Sequence, residues 1–235
     1  MDYNTVAERL RLLAMEYNSP EYFITDPISI PKHFFLLYKN MEATLQDIEI
    51  SAVIAAHLAW GRREMIVRDC RRAMDEMHWN PYSYVMKGEY RREDKSLHRT
   101  IKWSEFALIC ERLKDFYSKE KSLESLSPDE IRERIYGKKS DKNAANKKIH
   151  MLRRWLVRND NKVDLGIWKN IPSSGLIIPL DVHVHRSALE LEITKRKSAD
   201  IRTAVEITDF LTKVFPDDPC LGDFALFAYA ASRKK

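Results

Sequence analysis

The sequence predicts an all-α protein, and three observations carry that prediction. The 235 residues include only 6 Gly and 9 Pro, few for a chain that must make many tight β-turns. Long runs of Leu, Ala, Glu, Lys and Arg have high helix propensity. Apolar residues recur at helical spacing over most of the length. At 44% apolar and 32% charged, the composition is that of a soluble globular chain, long enough for one large domain or two smaller lobes.

The elements follow in order. Val6 to Tyr17 is amphipathic, with Leu10, Leu13, Ala14 and Tyr17 on one face. Asn18-Ser19-Pro20 ends it, and Asp26-Pro27 and Ile30-Pro31 mark an extended linker. Thr44-Leu45-Gln46-Asp47 has the form of a capping box, with Asp at its last place. The helix it opens is apolar all round (Ile48, Ile50, Val53, Ile54, Leu58, Trp60), so burial on all sides is expected, with His57 as a core histidine. Gly61 stops it, and a basic helix from Arg62 to Met77 follows, ended by Trp79-Asn80-Pro81. Trp103 to Tyr117 is a further helix and Pro128 to Ile135 a short one. Gly137 to Asn146 is a basic loop, and Lys147 to Arg158 is helical with Ile149, Leu152, Trp155 and Leu156 on its apolar face. Thr203-Ala204-Val205-Glu206 is expected to cap a helix that turns Ile207, Phe210, Leu211, Val214 and Phe215 inward. Asp223 is expected to cap the last one, which runs through Ala231.

Charge is biased and clustered. There are 40 Lys and Arg against 35 Asp and Glu, a net charge of +5. From residue 138 to 158 eight basic residues (Lys138, Lys139, Lys142, Lys147, Lys148, Arg153, Arg154, Arg158) meet one acid, Asp141. Arg62, Arg63, Arg68, Arg71 and Arg72 form a second cluster. Such patches suit an anionic partner. Cys70, Cys110 and Cys220 lie far apart with no Cys-x-x-Cys pair, so neither a zinc knuckle nor an iron–sulfur loop is encoded. Their odd number fits a reducing compartment. The N-terminus lacks a signal-peptide pattern and no apolar run approaches the ~20 residues of a membrane span, so a cytoplasmic protein without membrane contact is expected.

The most specific stretch is Ile177-Ile178-Pro179-Leu180-Asp181-Val182-His183-Val184-His185-Arg186. An apolar run stops at a proline, an acid follows, and a helical pattern begins. Asp181 therefore stands at an N-cap, its carboxylate near the positive end of a helix dipole. His183 and His185, two residues apart on a helix, face different ways. That argues against a metal pair, and no metal or cofactor is expected.

Two resemblances rest on these residues. Leu152-Arg153-Arg154-Trp155-Leu156-Val157-Arg158, Val163-Asp164-Leu165-Gly166-Ile167-Trp168 and the stretch around Asp181 resemble a bacterial family of unknown function over nearly the whole chain. More distantly, Pro179-Leu180-Asp181-Val182-His183 with Arg186 resembles the Pro-x-Asp-x-His-x-x-Arg segment of the helix-hairpin-helix DNA glycosylases, the superfamily of endonuclease III. Asp47 to Asp69 is similar to their buried second helix and the loop after it, which carries a residue that fills the gap left by a flipped base. Ile207 to Ala230 is similar to their C-terminal helix pair. The hairpin motif itself is replaced by residues 137–148, and the spacing from Lys148 to Asp181 is like that of the archaeal 8-oxoguanine glycosylase branch.

The resemblance implies a two-lobed helical fold, with a barrel lobe at 41–160 and a second lobe formed by 1–40 with 161–235. It implies Asp181 as the carboxylate that stabilises an oxocarbenium-like transition state, and Lys147 or Lys148 as a nucleophile at C1′, since the start of a helix and nearby cations favour the neutral amine. Trp60 would stack into the flipped-base gap. Arg62, Arg63, Lys138, Lys139, Lys142, Arg154, Arg158, His183 and Arg186 would contact DNA, and the resemblance implies a damaged duplex. From the residues themselves, a solvated face of Arg153, Arg154 and Arg158, or their ion pairs with Asp160 and Asp164, stands beside phosphate contact. Two other functions fit the same sequence: a non-catalytic DNA- or RNA-binding module of this fold, and a basic helical scaffold for an acidic protein.

Overall fold

The computed structural model describes residues 2–232. Its helices are α1 (Tyr3–Tyr17), α2 (Ser29–Lys39), α3 (Leu45–Leu58), α4 (Arg63–Glu76), α5 (Pro81–Lys87), α6 (Trp103–Tyr117), α7 (Pro128–Glu130), α8 (Lys147–Val157), α9 (Val182–Glu190), α10 (Ile201–Val214) and α11 (Leu221–Ser232). Between α5 and α6 lie two short antiparallel strands, β1 (Ser96–His98) and β2 (Ile101–Lys102), with Ser96 opposite Lys102 and His98 opposite Ile101. The chain is mostly helical, as the sequence predicts.

The chain divides into two compact units. One holds residues 23–140; the other joins residues 2–22 to 141–232. The expected boundaries lie at 40/41 and 160/161 instead. The difference concerns α2, which packs on α3, and α8, whose arginines are paired with acids of the segments that follow it.

In the unit of residues 23–140, α3 is the centre. Every residue from Asp47 to Leu58 is buried. Its start is fixed by the expected capping box: Thr44 Oγ1 accepts from Asp47 N and the Asp47 carboxylate accepts from Thr44 N at 2.8 Å. Its two buried acids are satisfied by neighbours. Asp47 accepts from Tyr82 N, and Glu49 accepts from Tyr117 Oη at 2.8 Å, Ser122 Oγ at 2.6 Å and Leu123 N. His57 is buried with its ring stacked on Tyr136 at 5.4 Å between centroids. The segment expected to be an extended linker contains α2, because Pro31 is only the third residue of that helix. A first-turn N–H has no intrahelical partner, so proline removes nothing there.

In the other unit α11 packs on α1 and α9. Asp2 caps α1 through Asn4 N and Thr5 N. The cap of α10 is Asp200, three residues before the expected Thr203; Asp200 accepts from Thr203 N, and Thr203 is buried inside the first turn. Likewise Asp223 lies within the first turn of α11 instead of capping it. Gly222 lets that turn approach α10, since a Cβ there would stand 2.4 Å from Leu211 Cδ2.

Candidate functional site

The site builds on two helix starts in the unit of residues 2–22 and 141–232. Asp181 is the N-cap of α9, as expected, and its Oδ1 accepts from His183 N at 2.8 Å and Val184 N at 2.9 Å. The carboxylate is thus held by two amides at the positive end of a helix. Its other oxygen, Oδ2, stands 3.7 Å from Nζ of Lys147, the first residue of α8. Neither side chain is sealed from solvent: Lys147 is 35% exposed and Asp181 22%. Asn146 enters the helix with a left-handed backbone, φ 45°, which turns the chain sharply just before the lysine. Lys147 stands at salt-bridge distance from Asp181, and Lys148, the other candidate lysine, is its half-buried neighbour on the helix.

Beyond this pair, buried charge follows α8. Arg154 lies seven residues after Lys147, on the same face of the helix, and Arg158 is the residue that ends it. Arg154 Nη1 donates to Asp223 Oδ2 at 2.7 Å, and its Nε lies 3.4 Å from Asp164. Arg158 donates to Asp160 at 2.7 Å, Asp164 at 3.0 Å, Asp218 at 2.7 Å and Asn18 at 3.3 Å. Burial raises the Asp223 carboxyl to about 6 against the opposing pull of Arg154, and the charge of Asp181 adds to the rise. Burial also raises Asp164, although both arginines oppose it. His150, on the same helix, is buried with Nε2 unbonded. Burial, reinforced by Arg153, lowers it to about 4, so its ring is neutral near pH 7.

Of the alternatives expected for Arg154 and Arg158, phosphate contact or ion pairs, the structure shows ion pairs, those with Asp160 and Asp164 among them. Their side chains are only 8% and 2% exposed and are engaged by carboxylates. Desolvating a guanidinium is costly, and a paired acid inside the protein holds it there. His183 is half-buried and edge-on to Phe227, while Arg186 is exposed. Lys142 is exposed.

The remaining expected residues belong to the other unit. Trp60 is half-exposed in the turn after α3, with the Arg99 guanidinium 4.1 Å over its ring. Its carbonyl lies 2.9 Å from His98 Nε2, and His98 Nδ1 lies 2.8 Å from the carboxylate of buried Asp69, the ring bridging the two. Arg68 and Arg72 donate to the same carboxylate at 2.9 and 3.2 Å. Arg62 precedes α4 and is exposed, and Arg63 lies 3.7 Å from Asp26. Lys138 and Lys139 are exposed at the start of the basic loop, which is held by Lys138 N to Arg132 O at 3.0 Å and Arg132 Nε to Lys139 O at 2.8 Å.

Sequence reasoning missed Asp223 as a partner of Arg154, the unbonded His150, and the His98–Asp69 bridge. The first had a visible signal: a cation repeated at seven and four residues on one helix asks for acids on the facing segments. The bridge had none, because β1 and β2 were not expected. Among the described residues no group of three or more His, Cys, Asp or Glu is placed to hold a metal ion. No described helix is long and apolar enough to cross a membrane.

These observations define a helical protein with a lysine–carboxylate pair at two helix N-termini. The chain belongs to a family described as Protein of unknown function (DUF2400), whose model matches residues 26–138 and 127–232. No curated protein and no solved structure matches it.

Proposed function

We propose that the chain is a DNA-binding protein that excises a base and opens the resulting sugar, in the manner of the glycosylases with lyase activity that its Asp181 segment resembles. The observation that carries this reading is the approach of Lys147 Nζ to Asp181 Oδ2 at 3.7 Å. Two groups needed for that chemistry stand together, each at the start of a helix.

The chemistry follows from their charges. As the glycosidic bond breaks, its electron pair leaves with the base and positive charge grows at C1′. The amide-anchored Asp181 carboxylate stabilises that charge without reorganising. The Lys147 ammonium passes one proton to the departing base and becomes the amine that attacks C1′. A second Nζ proton moves to the ring oxygen as the sugar opens, which leaves a protonated imine between Nζ and C1′.

Borohydride reduces such an imine to a stable amine, so trapping tests the reading directly. The expected result is a covalent adduct on duplex carrying an abasic site or oxidised guanine, none on undamaged duplex, and its loss in Lys147→Ala. Asp181→Asn is expected to abolish excision while binding persists. A mobility shift with no adduct on any duplex would instead mark a non-catalytic binding module, and neither shift nor adduct would reject the DNA partner.

A further inference from the structure

In the unit of residues 23–140, a surface of side chains is tied together through one buried acid. Asp69 accepts from Arg68 and Arg72, and the His98 ring lies between Asp69 and the Trp60 carbonyl, 2.8 Å from one and 2.9 Å from the other. Asp69 is thereby kept below the usual carboxylate range, burial being outweighed by Arg68, His98 and Arg72. The chain of contacts runs from Trp60 through His98 to Asp69 and its arginines. Arg68 and Arg72 meet on that carboxylate, 62% and 43% exposed, and Arg99 lies on the Trp60 ring itself. One carboxylate does not neutralise three guanidinium groups, so the surface is cationic.

Arg99 is placed with some strain. It sits at the turn between β1 and β2 with φ 53°, a left-handed conformation uncommon outside glycine, and its carbonyl is fixed by Ser96 Oγ at 2.7 Å. Gly61, at φ 108°, clears the space beside it, since a Cβ there would stand 2.8 Å from Arg99 Nη1. The backbone is thus arranged so that a guanidinium lies over Trp60 at 4.1 Å with solvent beyond it, Arg99 being exposed.

We propose that the Trp60–Arg99 stack is a platform for an unpaired nucleobase, with single-stranded nucleic acid as its ligand. A guanidinium is planar. With one side on the indole, it offers its other side to a base and its N–H edge to a phosphate. Arg68 and Arg72 supply further charge for the backbone. Stacking with little hydrogen-bond readout makes the site tolerant of base identity. An acidic protein would satisfy the charge but has no use for the planar face, which is why a nucleic acid is preferred. The inference shares its class of partner with the proposed function, but it needs neither Asp181 nor Lys147.

The test is fluorescence anisotropy with a labelled oligothymidylate about twelve nucleotides long, competed by unlabelled oligothymidylate or by polyphosphate, a base-free polyanion. Arg99→Lys keeps the charge and loses the plane. The expected result is a loss of affinity on the order of tenfold for Arg99→Lys, Arg99→Ala and Trp60→Leu, with polyphosphate affinity unchanged in Arg99→Lys and Trp60→Leu. Wild-type affinity in Arg99→Lys would overturn the platform in favour of charge alone. So would an equal loss on polyphosphate, or no binding of the oligonucleotide by the wild-type protein. Should Trp60→Leu fail to fold, Arg99→Lys decides. Excision and trapping on duplex are scored separately, so failure of that chemistry leaves this result standing.

Discussion

At the scale of a residue, Asp181 carries two roles that substitution can separate. As an N-cap it accepts from His183 N and Val184 N, a role asparagine also fills. As a charge it faces Lys147 at 3.7 Å, which asparagine cannot do. An exposed pair of this kind contributes at most about 1 kcal/mol to stability, while losing the cap costs ~1 kcal/mol. Asp181→Asn is therefore expected to unfold within a few tenths of a kcal/mol of wild type and Asp181→Ala about 1 kcal/mol earlier, as read by urea titration. Equal destabilisation by both would mean that the charge, and not the cap, holds α9 in place. Loss of excision in Asp181→Asn then speaks of chemistry, because the fold is intact.

At the scale of an element, α8 was legible as a helix, while the pairing of its buried arginines was left open. Its bounds were plain because Ile149, Leu152, Trp155 and Leu156 mark an apolar face. Helices α3 and α6 were equally plain, from a capping box and from unbroken periodicity. Residues 81–102 were not, since a seven-residue helix and two short strands leave too little pattern to recognise. Asp181 was legible as a cap from the proline and acid before a helical run. The destinations of Arg154 and Arg158 were left open between phosphate and acids such as Asp160 and Asp164, because a basic run does not itself choose between solvent and buried acids. Asp164 and Asp223 decide that, and they are ten and sixty-nine residues from Arg154 in the chain.

The α8 ladder also makes a statement about pH. Asp223 is raised in the folded chain to about 6 from an ordinary value of 3.8, so the folded state holds this proton more tightly than the unfolded one. Its contribution is fully present below pH 4 and is lost as pH rises through 6. Asp160 is shifted the opposite way: burial opposes its charge, but Arg158 and the amides of Lys162 and Val163 outweigh that and lower it. His150, lowered to about 4, contributes stability that is lost as pH falls below 6.5. Both remain in an Asp223→Asn variant and cancel in the comparison. Wild type is expected to lose stability relative to Asp223→Asn by up to a few kcal/mol between pH 4 and 6.5. Urea titrations of both at several pH values, followed by the fluorescence of buried Trp155 and Trp168, check this. A difference that stays flat with pH would mean that Asp223 is ionised throughout.

At the scale of the whole molecule, the placement of charge matters more than its sum. The net charge is +5, but Arg154 and Arg158 are enclosed by Asp160, Asp164, Asp218 and Asp223. Counting all six as ionised, that interior has two more negative than positive charges, so the rest of the chain is more basic than the total suggests. The exposed share includes Lys138, Lys139 and Lys142, on a loop whose start is pinned by Arg132. On the proposed function these lysines, and not the two arginines, release counterions from duplex DNA. Each phosphate contact adds about 0.9 to the slope of log affinity against log salt. Replacing the three lysines by glutamine should therefore reduce that slope by about 2 to 3 if all of them reach phosphate. Arg154→Met and Arg158→Met, where they fold, should leave it unchanged. A triple variant with the wild-type slope would place the DNA contact elsewhere, and a lowered slope in Arg158→Met would require that buried arginine to come out of its cluster of acids when DNA binds.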